Sequence, residues 1–158
     1  MFAEIKPPSE PRVALVGCSA LKQKRPAPAR ELYTSGLFRA SLAFAEATCA
    51  EVFVVSAMYG LLSLEQVVEP YDRTLADLGG KNAREDWGAR TLASFVQREI
   101  APQLVVLAGE LYAEALMAGA HWHNLPRPEA PLRGLRGCGN RIAWLKARTS
   151  KPEDRGAA

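Results

Sequence analysis

Three short runs constrain the fold of this chain more than any other feature: Val13-Ala14-Leu15-Val16, Glu51-Val52-Phe53-Val54-Val55-Ser56 and Leu104-Val105-Val106-Leu107-Ala108-Gly109. Each is β-branched or apolar without polar alternation, the pattern of a strand buried on both faces. Such strands need a covering layer on each side. Between the first two, Leu32, Leu37, Phe38, Leu42, Phe44 and Ala45 have helical spacing from about Glu31 to Thr48. Strand, loop, helix and strand in that order impose a parallel sheet with a right-handed crossover. A second helix is expected from about Ala83 to Arg98, capped by Asn82, with Trp87, Leu92, Phe95 and Val96 as its buried stripe. A short one follows from Glu110 to Met117, and a last amphipathic segment runs from Asn140 to Arg148. The expected fold class is therefore α/β, a three-layer α/β/α sandwich on a short, mostly parallel sheet.

The remaining stretches read as loops. Ala57 to Asp77 lacks a clean period and holds Gly60, Pro70 and Tyr71, so it is expected to be a long structured loop with a short helix near Leu64 to Val67. His121 to Pro131, with three prolines, reads as another. Residues 1–11 are expected to form a flexible arm and residues 150–158 a disordered tail, flanking a single domain over 12–149. A chain of 158 residues can bury about 70% of the surface exposed when unfolded, so its core needs no metal or disulfide staple. Cys18, Cys49 and Cys138 form neither an even set nor a CxxC pair. No apolar run reaches the roughly 18 to 20 residues of a membrane span, and the N-terminus lacks a signal-type apolar stretch; a cytoplasmic location is the expectation, with no membrane partner.

The net charge is only +3, yet it is unevenly placed. Residues 12 to 30 carry Arg12, Lys22, Lys24, Arg25 and Arg30 without an acid; residues 131 to 151 carry Arg133, Arg136, Arg141, Lys146, Arg148 and Lys151 without one. The stretch between is acidic on balance. If the two basic segments lie side by side they form a face that can track phosphates. Left apart, they are ordinary solvated surfaces.

Ligands of parallel sheets bind outside the carboxyl ends of the strands. Here those ends are Gly17-Cys18-Ser19, Ser56-Ala57-Met58-Tyr59-Gly60 and Ala108-Gly109-Glu110, which are expected to converge on one crevice. Gly17 and Ser19 offer backbone N–H groups and a hydroxyl to an anion, near Lys22, Lys24, Arg25 and Arg30. Neither a phosphate loop nor a dinucleotide fingerprint is present, so no cofactor is implied. Cys18 is either a nucleophile activated by those cations or a small buried residue ending a strand. Tyr59 and Tyr71 are either stacking platforms for bases or core filling under the loop. Asp72 can activate water or stabilise a developing cation; it can equally cap a turn or pair with Arg73 or Arg30. His121 and His123 lack a third ligand nearby and read as surface loop residues, so no metal is expected. Trp87 and Trp144 read as core, and Glu31 as a partner for a helix N-terminus.

Gly17-Cys18-Ser19, Lys22, Pro26 through Ser35, Ser56 through Leu62, Pro70-Tyr71-Asp72 and Pro131 through Leu145 resemble an uncharacterised bacterial family known only as a domain of unknown function. Val55 to Leu62 with Val68 to Tyr71 is also similar to the S-G-L-Y-G-x-L…I-x-P-Y-R stretch of the YaaA peroxide stress family, described as DNA-binding; Asp72 stands where that family has Arg, and Ala57 where it has Gly. The opening Gly17-Cys18-Ser19…Tyr33-Thr34-Ser35 resembles the P-C-S…K-P-Y-S block of a domain in archaeosine synthases, which looks like the uracil-DNA glycosylase fold. That resemblance implies a crevice for an extruded base, with Ser56, Tyr59, Gly60, Tyr71 and Gly109 around it and Asp72 serving the glycosidic carbon. Lys22 and Arg30 would hold flanking phosphates, with Arg133, Arg136 and Arg141 extending the basic face. The expected function is a nucleic-acid-binding protein of DNA or tRNA maintenance, DNA in preference to tRNA, with glycosidic-bond chemistry as an extension. The alternatives are a non-catalytic DNA-binding stress protein, and a nucleotide- or nucleoside-processing enzyme using Cys18.

Overall fold

In the computed structural model, which describes residues 11–149, the three apolar runs form the parallel centre of a four-stranded sheet. Strand β1 (Arg12–Gly17) lies between β3 (Glu51–Ser56) and β6 (Gln103–Leu107), parallel to both, with Leu15 opposite Phe53 on one side and Val106 on the other. The period-2 alternation of a strand then sorts the side chains by face. Ala14, Val16, Val54, Val105 and Leu107 belong to one buried cluster; Val13, Leu15, Val55, Leu104 and Val106 belong to another. Helices α2 (Gly36–Thr48) and α5 (Gly137–Thr149) cover the first through Phe38, Phe44 and Leu145. Helices α3 (Lys81–Leu92) and α4 (Glu110–Trp122) cover the second through Trp87, Leu92 and Leu116. The result is the expected α/β sandwich with helices on both faces.

Several local readings are corrected. The expected long first helix is broken into α1 (Ala29–Leu32) and α2, because Tyr33 is extended and the Ser35 hydroxyl accepts from the Phe38 N–H, starting a new helix. The loop after β3 is instead a hairpin: β4 (Gly60–Ser63) runs antiparallel to β3 with Ser56 opposite Gly60. Gly60, at φ +71, takes the left-handed conformation that this tight reversal needs. The helix expected at Leu64 to Val67 is absent; Val67–Val68 is strand β5, pairing antiparallel with β2 (Ala27–Pro28). Helix α3 starts at Lys81 after Gly80 without a side-chain cap, so Asn82 lies inside it; after Leu92 the chain tightens to a 3₁₀ turn, leaving Val96 exposed.

Helix α4 continues to Trp122, so His121 belongs to a helix and His123 to its end, where Nε2 lies 2.7 Å from the Ala89 carbonyl oxygen. The proline-rich segment after it is tied to the sheet edge: the Val106 N–H donates to the Glu129 carbonyl and the Glu129 N–H to the Leu104 carbonyl. The sheet's β6 edge is thereby partly paired. Of the expected arm only Pro11 is described, its carbonyl accepting from the Gln103 N–H; residues 1–10 and the expected tail lie outside the described residues. Among the described residues no helix is long and apolar enough to cross a membrane.

Candidate functional site

The carboxyl end of β3 carries a chain of hydroxyl groups. Ser56, fully buried at the end of β3, is its hub: its Oγ accepts from the backbone N–H of Met58 at 3.2 Å and Tyr59 at 3.1 Å, and donates to the Tyr71 hydroxyl at 2.6 Å. The Tyr71 hydroxyl in turn shares a 2.7 Å hydrogen bond with that of Tyr33. The Trp87 indole N–H closes the other side by donating to the Ser56 carbonyl. One strand end therefore fixes the reversal that displays Tyr59 and the tilt of the Tyr71 ring.

Burial pushes the Tyr33 phenol up to about 12 and raises Tyr71 and Tyr112 as well. All three stay neutral near pH 7 and serve as hydroxyl donors or acceptors. The Lys22 ammonium lies 4.3 Å from the Tyr71 ring centroid and 5.8 Å from that of Tyr33. With neutral phenols this is attraction to ring faces, which leaves the ammonium N–H groups for a further partner. Tyr59, 43% exposed, meets Tyr71 edge to face at 5.3 Å. An exposed ring, a half-buried ring and a cation thus adjoin one another.

The expected crevice is divided. Gly17, Cys18, Ser19 and Gly109 line a cleft of about 180 Å3, whereas Tyr59 and Gly60 line a separate groove of about 620 Å3 with Arg73 and Arg90. The two linings share no residue. Trp87 lines the groove, Tyr112 lines the cleft, and the two rings stack edge to face at 5.5 Å between them. Cys18 Sγ lies 3.2 Å from the Tyr112 hydroxyl, and the Cys18 N–H donates to the Val55 carbonyl. Its side-chain partner is thus a neutral phenol, which provides no base of the kind that activates a thiol.

Asp72 is exposed and makes no ion pair among the described residues, so neither expected pairing, with Arg73 or with Arg30, forms. Arg30 is instead held by Glu65 at 2.8 Å and Glu46 at 3.2 Å. Arg133 is paired with Glu110, and the Arg141 Nε donates to the Leu135 carbonyl. Lys24, Arg25 and Arg136 are exposed and carry no ion pair among the described residues. The two basic segments do approach each other: Leu132, beside Arg133, lines the same cleft as Cys18 and Ser19. Acids distant in sequence neutralise part of that face, which counting charges along the chain does not foresee. Trp144 packs on Phe44 at 5.5 Å with the Arg148 guanidinium above it, in keeping with a packing role. Among the described residues no group of three or more His, Cys, Asp or Glu is placed to hold a metal ion.

Several residues of the site have no role in the sequence reading. Tyr33 enters it only through a resemblance, and Tyr112 sits in a helix with no local signal. Ser35 does carry one, a capping residue three positions before Phe38. Among known proteins, no curated protein and no solved structure matches the chain. The model of a family of unknown function, DUF6884, matches residues 13–147, spanning every element from β1 to α5, and the chain belongs to that family.

Proposed function

We propose that this protein binds nucleic acid, DNA in preference to tRNA, by receiving an unpaired base at the carboxyl edge of its sheet. The observation that carries the reading is the juxtaposition of exposed Tyr59, the Tyr71 ring and the Lys22 ammonium, next to Lys24 and Arg25 in sequence. Aromatic faces accept any base, and cations beside them hold the backbone on either side. The groove of about 620 Å3 that continues past Tyr59 carries Arg73 and Arg90 along its wall, the latter paired with Asp86, and its volume is in the range of a site for one nucleotide. The motif resemblance of Val55 to Leu62 with Val68 to Tyr71 to the YaaA family, described as DNA-binding, points the same way.

Anisotropy of labelled single-stranded and duplex DNA across a salt series tests this. Single strands bind more tightly, Tyr59→Ala costs about 1–3 kcal/mol of binding, and replacing Lys22, Lys24 and Arg25 together by Ala flattens the salt slope. Absence of binding at low salt overturns the reading.

A catalytic extension is favoured by one observation: Asp72 directly follows the Tyr71 platform, exposed and free of any ion pair among the described residues. A carboxylate so placed can serve the glycosidic carbon of a stacked nucleotide or its attacking water. Incubation with oligonucleotides carrying uracil, hypoxanthine or oxidised bases yields abasic sites with the native chain and none with Asp72→Ala. Intact oligonucleotides throughout leave a binding protein without this chemistry.

A further inference from the structure

The cleft of about 180 Å3 lies where the connections of the sheet part company. From β1 the chain passes to α2 on one face; from β6 it passes to α4 on the other. Such a switch point leaves a crevice between neighbouring strand ends. Here two thirteen-residue helices begin on that crevice, with Ser35 and Leu37 of the α2 start and Gly109 and Tyr112 of the α4 start in its walls.

Helix starts leave backbone donors unused. In α2 the Phe38 N–H donates to the Ser35 hydroxyl and the Arg39 N–H to the Ser35 carbonyl, leaving those of Gly36 and Leu37. In α4 the Ala113 N–H donates to the Gly109 carbonyl, Gly109 supplies no side-chain cap, and the N–H groups of Glu110, Leu111 and Tyr112 remain. The partial positive ends of both helix dipoles add to the same space.

A side chain provides independent support. Ser41 is 2% exposed and lines the cleft one turn beyond Leu37. In the same helix Thr48 returns its hydroxyl to the Phe44 carbonyl, whereas the Ser41 hydroxyl makes no hydrogen bond among the described residues. No fully buried side-chain oxygen or nitrogen lacks a partner among the described residues, so the Ser41 oxygen keeps an opening, and the cleft it lines is where it can bond a bound group. No acidic residue lines the cleft, and Glu110 at its edge is held by Arg133.

We propose that this cleft binds a phosphate group or an equivalent tetrahedral oxyanion, held by Ser41 and by the open amides of Leu37 and Tyr112 at the starts of α2 and α4. Its volume is well under the roughly 300 Å3 of a small-molecule pocket, which suits a single anionic group and excludes a whole nucleotide. Tyr112, whose hydroxyl is shared with Cys18 Sγ at 3.2 Å, is a further polar residue of the wall. The group is either inorganic phosphate or the terminal phosphate of a bound strand. The site stands apart from the Tyr59 groove and does not depend on the nucleic-acid reading.

The test is an amide chemical-shift titration of the full chain with inorganic phosphate against chloride at matched ionic strength. Saturable shifts are expected at Leu37, Ser41 and Tyr112, which line the cleft, with a dissociation constant of about 1 mM or below. Ser41→Ala weakens binding about three- to tenfold, the loss of one hydrogen bond. Ser35→Asp keeps an equally good capping oxygen but places a carboxylate at the cleft, and weakens binding by about tenfold or more. Retained amide dispersion verifies that this variant is folded. A second arm compares 5′-phosphorylated with 5′-hydroxyl oligonucleotides: a gain that disappears in Ser35→Asp assigns the group to a strand end, and equal binding beside a positive phosphate titration assigns it to the free ion. Cleft amides that move no more with phosphate than with chloride, or move equally in Ser35→Asp, overturn the proposal. Because the readout is the cleft's own amides, failure to bind oligonucleotides does not affect it.

Discussion

The Lys22 ammonium lies 4.3 Å from the centroid of the Tyr71 ring, so a loop cation and a ring anchored to Ser56 form one unit. If that unit meets a phosphate backbone, Lys22→Ala removes one neutralised phosphate. The slope of log affinity against log salt then falls by about 0.7 on single strands. Anisotropy across a salt series measures it, and an unchanged slope restricts Lys22 to packing on the ring.

Arg30 behaves differently although it belongs to the same acid-free stretch of sequence. Glu65 and Glu46 already hold its guanidinium near the surface. Arg30→Ala is expected to leave the salt slope unchanged and to alter stability by about 1 kcal/mol or less, the usual worth of exposed pairs. A slope reduced as far as in Lys22→Ala shows that a strand displaces the carboxylates.

Ser56→Ala removes the acceptor of two backbone N–H groups and a donor to Tyr71 at one stroke. At a fully buried position the expected cost is about 1–3 kcal/mol in urea melts, together with weaker oligonucleotide binding as the Tyr59 turn loosens. Normal stability with normal binding removes Ser56 from its central position.

The three buried strands were legible because apolar runs at both-face-buried positions tolerate few other readings, and the sandwich followed from their alternation with helices. The boundaries that failed are those set by single contacts. Tyr33 breaks the first helix in order to reach Tyr71, and no periodicity registers a hydroxyl pair 38 residues apart. The Gly60–Ser63 strand was too short for its pattern to stand out from a loop, and its partner is fixed by the Ser56–Gly60 register. Of the candidate residues, Gly17, Cys18, Ser19 and Gly109 do line one cleft, as the rule for strand ends expects. Tyr59 and Gly60 were not, because the β4 hairpin carries them to the far side of the Trp87–Tyr112 pair.

The folded chain holds the Tyr33 proton more tightly than the unfolded chain does, since burial moves its pKa from 10.0 to about 12. The sign follows from linkage: this contribution is complete below the unfolded value and is lost as pH rises through the folded one. Stability is expected to stay flat with respect to this group below about pH 9 and to decline between pH 10 and about 12, with Tyr71 shifted in the same direction. Tyr33→Phe costs about 0.5–1.5 kcal/mol at neutral pH through its lost hydrogen bond, and makes the alkaline decline shallower. Urea melts at stepped pH measure both; a decline as steep as in the native chain shows that other groups carry it.

Gly88 of α3 and Gly119 of α4 let two backbones touch. A Cβ on Gly88 would stand 1.9 Å from the Ala115 carbonyl oxygen, and one on Gly119 would stand 2.5 Å from the Gly88 carbonyl carbon. Backbone atoms in packed helices cannot yield as a flexible side chain does, so either Ala substitution must push the helices apart. The expected destabilisation is at least about 1–3 kcal/mol. The consequence reaches the site, because Trp87 adjoins Gly88 and its ring meets Tyr112 at 5.5 Å. Gly88→Ala should therefore lower the melting temperature and shift the tryptophan emission together, as the wall between groove and cleft moves. A melting temperature equal to the native value shows that α3 and α4 can separate without cost, contrary to their packing.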